Sequence, residues 1–326
     1  MELIKKKIFS SFQTIYARGL YDFLSAVNNL IFSNILKFFF NRTFYKKKIY
    51  NYKMFLDAND MGISRSLILF GKREIDQKVI LEKTLVPGMN IYDIGANIGY
   101  YVLMHSLLIG KKGKILAIEP SPKNILLLKK NLHLNKISIK KVKVLEGAVS
   151  NLSGHKKIFL ASQSNLHTFH DYGSAKSFLT GNSINVKVYN ISQLSKIYGK
   201  PDLIRMDVEG HEVEIIQSMI KDIKKKIYSP LICFEPHTSC YNKKHDFKPI
   251  LKQLFGLKYQ TLYLSSNSES GTNKIIKYTK KKPELIIKSD GELRGIFKGI
   301  SPAMTIGILT KLGGARTVLL SPTKTF

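Results

Sequence analysis

The stretch Val86-Pro87-Gly88-Met89-Asn90-Ile91-Tyr92-Asp93-Ile94-Gly95-Ala96-Asn97-Ile98-Gly99-Tyr100-Tyr101 decides the fold. Asn90 to Ile94 is a short apolar run that reads as a strand, Asp93 stands at its end, and Gly95 and Gly99 turn the chain before a helix opens. Glycine reaches the positive φ angles that such a turn needs and lets a ligand approach the N–H groups at the helix start. Further on, a second run, Lys114 to Glu119, ends on Glu119-Pro120 and puts a carboxylate where a ribose diol would lie.

A nicotinamide dinucleotide site shares that acid, so the glycine spacing has to decide between ligands. Here it is Asp-x-Gly-x-x-x-Gly and not Gly-x-Gly-x-x-Gly. A pyrophosphate would be repelled by Asp93, whereas S-adenosylmethionine carries no phosphate and brings an ammonium group that a carboxylate favours. Its own carboxylate can use the N–H groups near the helix start, at about 0.3–1 kcal/mol when exposed. The expected cofactor residues are Asp93, Gly95, Asn97, Gly99 and Glu119.

Outward from this motif, short apolar runs alternate with helical stretches, the pattern of a parallel α/β sheet. The expected strands are Asn90 to Ile94, Lys114 to Glu119, Val142 to Val149, Leu203 to Val208 and Leu231 to Glu235. Helices are expected over Ser121 to Asn135 and Val213 to Ile220. Two strand-like runs, Lys157 to Leu160 and Ile184 to Tyr189, bracket a polar stretch that reads as an inserted hairpin or lid. Leu257 to Leu264 and Thr317 to Leu320 read as late strands, with a polar loop from Ser265 to Asn273.

The second motif is Asp202-Leu203-Ile204-Arg205-Met206-Asp207-Val208-Glu209-Gly210-His211-Glu212. Strand alternation would set Asp207 and Glu209 on one side, with Gly210 turning His211 to the carboxyl edge of the sheet, where open α/β sheets bind ligands. The neighbouring strand would bring Glu235 and His237 to the same rim. Asp207, Glu209, His211, Glu235 and His237 are therefore the expected acceptor-side catalytic residues, with His211 slightly preferred as the proton acceptor. Glu212 and Arg205 have plainer readings, as a helix cap and a neutraliser of carboxylates. Asp207 with Glu235 could also hold Mg²⁺, since hard oxygen ligands suit it, but no metal site is assigned.

Taken together, Asp93-Ile-Gly-Ala-Asn-Ile-Gly-Tyr-Tyr and Asp207-Val-Glu-Gly-His-Glu resemble the FkbM family of S-adenosylmethionine-dependent methyltransferases. The resemblance runs from about Asp60 to the end of the chain. It implies an α/β class I methyltransferase fold, Rossmann-like, with a mostly parallel seven-stranded sheet, helices on both faces and the last strand antiparallel. It also implies methyl transfer to oxygen, often a hydroxyl of a sugar or polyketide, and the expected acceptor is a carbohydrate or glycolipid. Val102 and Ser192 depart from the family pattern, in positions that bear on the acceptor pocket rather than the cofactor motif.

Composition bounds the alternatives. The chain of 326 residues has 52 Lys plus Arg against 23 Asp plus Glu, a net charge of +29. That balance would suit nucleic acid, and an RNA methyltransferase is the competing enzyme. However, lysine supplies most of it, and the segment after Leu203 lacks the Asp/Asn-Pro-Pro-aromatic pattern that holds a flipped base. A non-catalytic binding module that keeps the fold is the other alternative. Cys233 and Cys240 form neither a Cys-x-x-Cys pair nor a zinc spacing. Residues 1–56 read as a basic, aromatic-rich helical extension and residues 57–326 as the methyltransferase domain. Within the extension, Leu20, Phe23, Leu24, Val27, Leu30, Ile31, Ile35 and Phe38 recur at helical spacing, and Asp22, Asn29, Ser33 and Lys37 interrupt them, which argues against a membrane span. Flanked by Lys5 to Lys7 and Lys46 to Lys48, this helix would pack on the domain or a partner chain, or lie on an anionic membrane. The expected compartment is the cytoplasm, with peripheral attachment at the inner membrane face in the latter case.

Overall fold

Along the central strands, alternate side chains enter two separate cores, and this sorting builds the layers of the molecule. Ile91, Ile115, Ala117, Leu203, Cys233 and Leu319 point to one face, where they join Leu81, Tyr100, Leu103 and Leu128. Tyr92, Leu116, Ile118, Ile204, Ile232, Phe234 and Leu320 point to the other, against Leu194, Ile216, Phe247 and Leu251. Strands buried on both faces read as continuous apolar runs, as these do. The computed structural model describes residues 14–41, 43–243 and 245–323; the basic residues Lys5 to Lys7 lie outside them.

In chain order the elements begin with α1 (Leu20–Phe40), β1 (Phe44–Ile49), β2 (Tyr52–Asp57), α2 (Ile63–Phe70), α3 (Ile75–Thr84), β3 (Asn90–Ile94), α4 (Tyr100–Leu108) and β4 (Lys114–Glu119). Then follow α5 (Pro122–Leu134), β5 (Val142–Glu146), β6 (Ala148–Val149), β7 (Gly154–Ala161), β8 (Leu179–Tyr189), α6 (Ile191–Tyr198), β9 (Leu203–Met206) and α7 (Glu212–Lys224). The last are β10 (Leu231–Phe234), α8 (Phe247–Gly256), β11 (Tyr259–Ser266), α9 (Glu269–Thr279), β12 (Leu285–Ser289), β13 (Glu292–Phe297), α10 (Pro302–Gly307) and β14 (Ala315–Pro322).

The main sheet has nine strands in the order β12-β13-β11-β14-β10-β9-β3-β4-β5. From β5 to β10 neighbours run parallel, while β14 lies antiparallel between β10 and β11. The seven expected strands, with the last antiparallel, are the run from β11 to β5; the β12–β13 hairpin extends their edge. Chain order reverses between β3 and β9, and a crevice opens there at the carboxyl ends of the strands. β7 and β8 pair antiparallel beside β6 as a small separate sheet, so the inserted hairpin is present.

Four expectations change. The run Val142 to Val149 is broken at Gly147, where φ is +143° and an added Cβ would come within 2.6 Å of the Lys187 carbonyl oxygen. The strand of the second motif stops at Met206, so strand alternation does not carry Asp207 and Glu209. Part of the loop expected over Ser265 to Asn273 is helical, because Ser268 caps α9 through the Gly271 N–H. The extension is not helical throughout, and its boundary at 56/57 falls inside β2. The β1–β2 hairpin buries Ile49, Tyr52, Met54 and Leu56 in the core. Asn131 on α5 and Asn135 at its C-terminal cap complete its open edge, accepting from the N–H groups of Phe55 (2.7 Å) and Lys53 (2.9 Å).

Candidate active site

At the reversal point lies a cleft with about 820 Å³ of space not filled by atoms, part of it open to solvent. One end is formed by Gly95, Ala96 and Asn97 of the first turn, Glu119 and Pro120 after β4, and Gly147, Ala148 and Val149 after β5. The other end is formed by Arg73, Glu74, Tyr100, Tyr101, Arg205, Asp207 and His211. Ser164, Asn165, His167, Thr168 and Phe169, from the segment between β7 and β8, close it over as a lid.

Asn97 and Glu119 meet in the first end. Glu119 accepts from the Asn97 N–H at 2.8 Å, the Ser121 N–H at 3.0 Å and the Asn124 side-chain amide at 3.1 Å. Burial pushes its carboxyl up to about 7 against those three donors. The side-chain amides of Asn97 (3.0 Å) and Asn124 (3.1 Å) also donate to the Ser164 carbonyl, and Ser164 in turn bonds Asp60. The acid is thus tied to the lid through two asparagines. Gly95 is required where it stands: its φ is +76°, and a Cβ would come within 2.2 Å of the Asp207 carbonyl oxygen.

Asp93 and Gly99 play different parts from those expected. Asp93 is fully buried and absent from the cavity wall. It stands in register with Arg205 across the β3–β9 pair, 3.4 Å from the guanidinium, and so positions Arg205 rather than meeting a ligand. Burial raises its carboxyl to about 6 against the pull of Arg205. With that charge compensated by Arg205, Asp93 would not repel a pyrophosphate as expected. Gly99 opens α4 behind the wall, and a Cβ there would strike Leu128 at 2.4 Å, so its role is close packing.

Arg205 is the residue that sequence reasoning undervalued. It bonds Asp207 at 3.1 Å, lies 4.0 Å over the ring of Tyr101, and its Nε is buried with no hydrogen-bond partner. Asp207 is partly open to the cavity. His211 also lines it, but is buried to 1% exposure, with its Nε2 at 2.9 Å from the Ser150 hydroxyl and Phe169 packed on its ring. Burial lowers it to about 3 and keeps it a neutral imidazole. Against the slight preference expected for His211, Asp207 is the more open of the two to the cavity.

Glu209, Glu235 and His237 are not in the wall. Atoms of Asp207, Glu209 and His237 do come within 4.8 Å of one another. Glu209 reaches this place through a left-handed backbone, φ +49°, and not through strand alternation. His237 is held between Glu209 (3.3 Å) and Glu212 (2.8 Å), and against the opposing effect of burial the two carboxylates keep it well above its ordinary value. Glu235 is taken up by Arg316, which also bonds Glu74 at 2.9 Å, so one oxygen of its carboxylate is committed to a cation of the chain. Arg73, Glu74 and Arg316, unremarked in the sequence, are joined into this one chain of charges.

Residues 93–261, just over half of the chain, match the family model described as "Methyltransferase FkbM domain". The chain belongs to the FkbM methyltransferase family. A probable cobalt-precorrin-6B C(15)-methyltransferase (decarboxylating) of Sulfolobus acidocaldarius is 32% identical over 76 residues, 23% of this chain and 38% of that protein. An FkbM methyltransferase of Methylobacillus flagellatus KT is 15% identical with a TM-score of 0.37, over 60% of this chain and 48% of that one. A putative transferase of Pyrococcus horikoshii is 14% identical with a TM-score of 0.38, over 90% and 84% of the two chains. The chain thus spans less than half the length of the first two. The FkbM match begins at Asp93 and takes in the cavity's strand ends and its lid, whereas Arg73 and Glu74 precede it and Arg316 follows it. The fold is that of a class I methyltransferase. No short motif contains Arg73, Glu74 and Arg316, because the sheet edge assembles them from distant parts of the chain.

Proposed function

We propose that this FkbM family member binds S-adenosylmethionine in the cleft and methylates a hydroxyl oxygen on a sugar or glycan precursor. The observation that carries the reading is one continuous cleft with Glu119 at one end and the Arg205–Asp207 pair at the other. The residues present fit the cofactor. Glu119 offers acceptors to a ribose diol, Pro120, Ala148 and Val149 give an apolar surface for a flat base, and the unpartnered Nε of Arg205 suits a carboxylate. When bound, S-adenosylmethionine supplies an electrophilic methyl group on a sulfonium. The chain's own part is to orient the acceptor, with Asp207 taking the proton of its hydroxyl while Arg205 fixes the carboxylate. Orientation can contribute up to ~7–11 kcal/mol, and a general base typically ~10²–10⁴-fold. Arg73, Glu74 and Asp207 give this end charged hydrogen-bonding groups, which suits a hydroxyl-rich acceptor. Incubation with methyl-labelled S-adenosylmethionine and either extracted glycolipid or total RNA tests the reading: label enters the glycolipid, and label confined to RNA contradicts it.

We further infer that α1 holds the enzyme on the cytoplasmic face of an anionic membrane. Of its residues Ala26 and Ser33 are buried, while Leu20, Leu24, Ile31, Ile35, Phe38, Phe39 and Phe40 stand exposed. The helix docks on α2 through Asn29, whose amide donates to the Leu69 carbonyl at 3.1 Å, and leaves most of its apolar surface uncovered. Despite the polar interruptions it is long and apolar enough to cross a membrane by length and composition, with a mean hydropathy of 1.4. Lys46 and Lys48 on β1 are exposed beside it, whereas Lys47 turns inward to the Ile68 carbonyl.

A further inference from the structure

Behind His211, outside the cavity wall, His170, Glu214 and His245 converge from three places: the lid, the first turn of α7 and the segment before α8. One donor atom from each lies within 4.8 Å of the others. Three features distinguish this cluster from an ordinary hydrogen-bond network. His170 is 9% exposed, and its Nε2 is buried with no hydrogen-bond partner. His245 gives its Nδ1 to the Cys240 carbonyl at 2.9 Å, which aims its Nε2 at the Glu214 carboxylate, also at 2.9 Å. An imidazole anchored this way by its other nitrogen is the usual arrangement of a metal-ligating histidine. Finally, the Nδ1 of His211 is buried without a hydrogen bond, 3.3 Å from the same carboxylate. The rings of His170 and His245 are 4.8 Å apart, and those of His170 and His211 are 5.5 Å apart.

We propose that His170, Glu214 and His245 bind a divalent transition-metal ion of the zinc class, with the Nδ1 of His211 beside it as a further donor. Two imidazoles and a carboxylate suit zinc, cobalt or nickel, whereas magnesium and calcium prefer oxygen donors throughout. Ligand atoms around tetrahedral zinc stand about 3.4 Å apart, so the cluster closes on an ion with small side-chain movements.

The position of the ion gives it a purpose. His170 follows Phe169 and Thr168, which line the cavity, and the Thr168 hydroxyl donates to the Glu209 carbonyl at 2.9 Å. An ion held by His170 on the lid and by Glu214 on α7 would staple the lid to the body of the domain. It takes no part in methyl transfer, and its binding can be read without the cofactor.

Titration of the full-length chain with Co²⁺, followed by visible absorption, tests the site. A tetrahedral-type band saturating at one equivalent and displaced by Zn²⁺ is expected, with affinity reduced at least tenfold in both His245→Ala and the milder lid variant His170→Gln. Zn²⁺ should also slow proteolytic cleavage of the segment between Ala161 and Phe178 in the wild type and not in His170→Gln. Absence of saturable Co²⁺ or Zn²⁺ binding below ~100 µM overturns the proposal. So does unchanged binding in His170→Gln, or loss of the band in Asp207→Asn with His170→Gln unaffected, which would assign the ion to the Asp207, Glu209 and His237 cluster.

Discussion

Burial decides which acids and histidines at the cavity exchange protons. His211 is buried and lowered to about 3, whereas Asp207 is partly open to the cavity on an arginine that fixes it. Asp207→Asn should therefore cut turnover about 10²-fold or more, with S-adenosylmethionine affinity changed by less than about tenfold. His211→Gln should lose less than about tenfold, since it removes shape and not a base. Steady-state kinetics with calorimetry checks both, and the reverse ranking restores His211. Glu119 sets a pH dependence near neutrality, at higher pH than an ordinary surface acid would. Its carboxyl is raised to about 7, so it becomes protonated as pH falls through 7 and loses acceptor capacity for a diol. Affinity for S-adenosylmethionine should weaken below about pH 7 in the wild type, and Glu119→Gln should bind more weakly at pH 8 without that dependence. Both motif residues and their spacing were legible in the sequence. The parts played by Asp93 and Arg205 were not, because they arise from the β3–β9 register, which no local pattern encodes.

Among the elements, the first turn and α1 carry the clearest consequences. Gly95 adopts φ +76° with the Asp207 carbonyl where its Cβ would be. Gly95→Ala should destabilise the protein by roughly 1–3 kcal/mol from backbone strain alone, measured by chemical denaturation, and should abolish cofactor binding. An equally stable variant that still binds would show that the turn can relax. On α1, each exposed Leu, Ile or Phe side chain gains about 1.5–3 kcal/mol on full burial, so a few inserted residues suffice for membrane attachment. Removing residues before Thr43 should abolish sedimentation with anionic vesicles and leave cofactor binding intact. Equal sedimentation of both forms rejects the membrane role, and extraction of the full-length chain by alkaline carbonate tells surface attachment from a span. Strands β3 and β4 were readable to the residue because both faces are buried and the apolar runs are continuous. The β1–β2 and β12–β13 hairpins escaped notice because lysines crowd the first and the second is an exposed edge.

At the scale of the whole molecule, strand order brings together what the sequence scatters. The switch between β3 and β9 places the Gly95 turn, Glu119 and Asp207 around one cleft, and β14, inserted antiparallel beside β10, delivers Arg316 to Glu235 and Glu74. The α/β class was legible from alternation alone, while the closing lid and its link to Asp60 through Ser164 depend on packing across the fold. This cleft should take S-adenosylmethionine in preference to a dinucleotide. With Asp93 neutralised by Arg205, charge repulsion no longer guarantees that preference, so a direct comparison decides it. Calorimetric titration of the full-length protein with S-adenosylmethionine and with NAD, repeated on Glu119→Gln, should give one S-adenosylmethionine per chain, affinity reduced at least tenfold in the variant, and NAD weaker by tenfold or more. NAD bound as tightly as S-adenosylmethionine, or methyl-donor binding undiminished in Glu119→Gln, would contradict it.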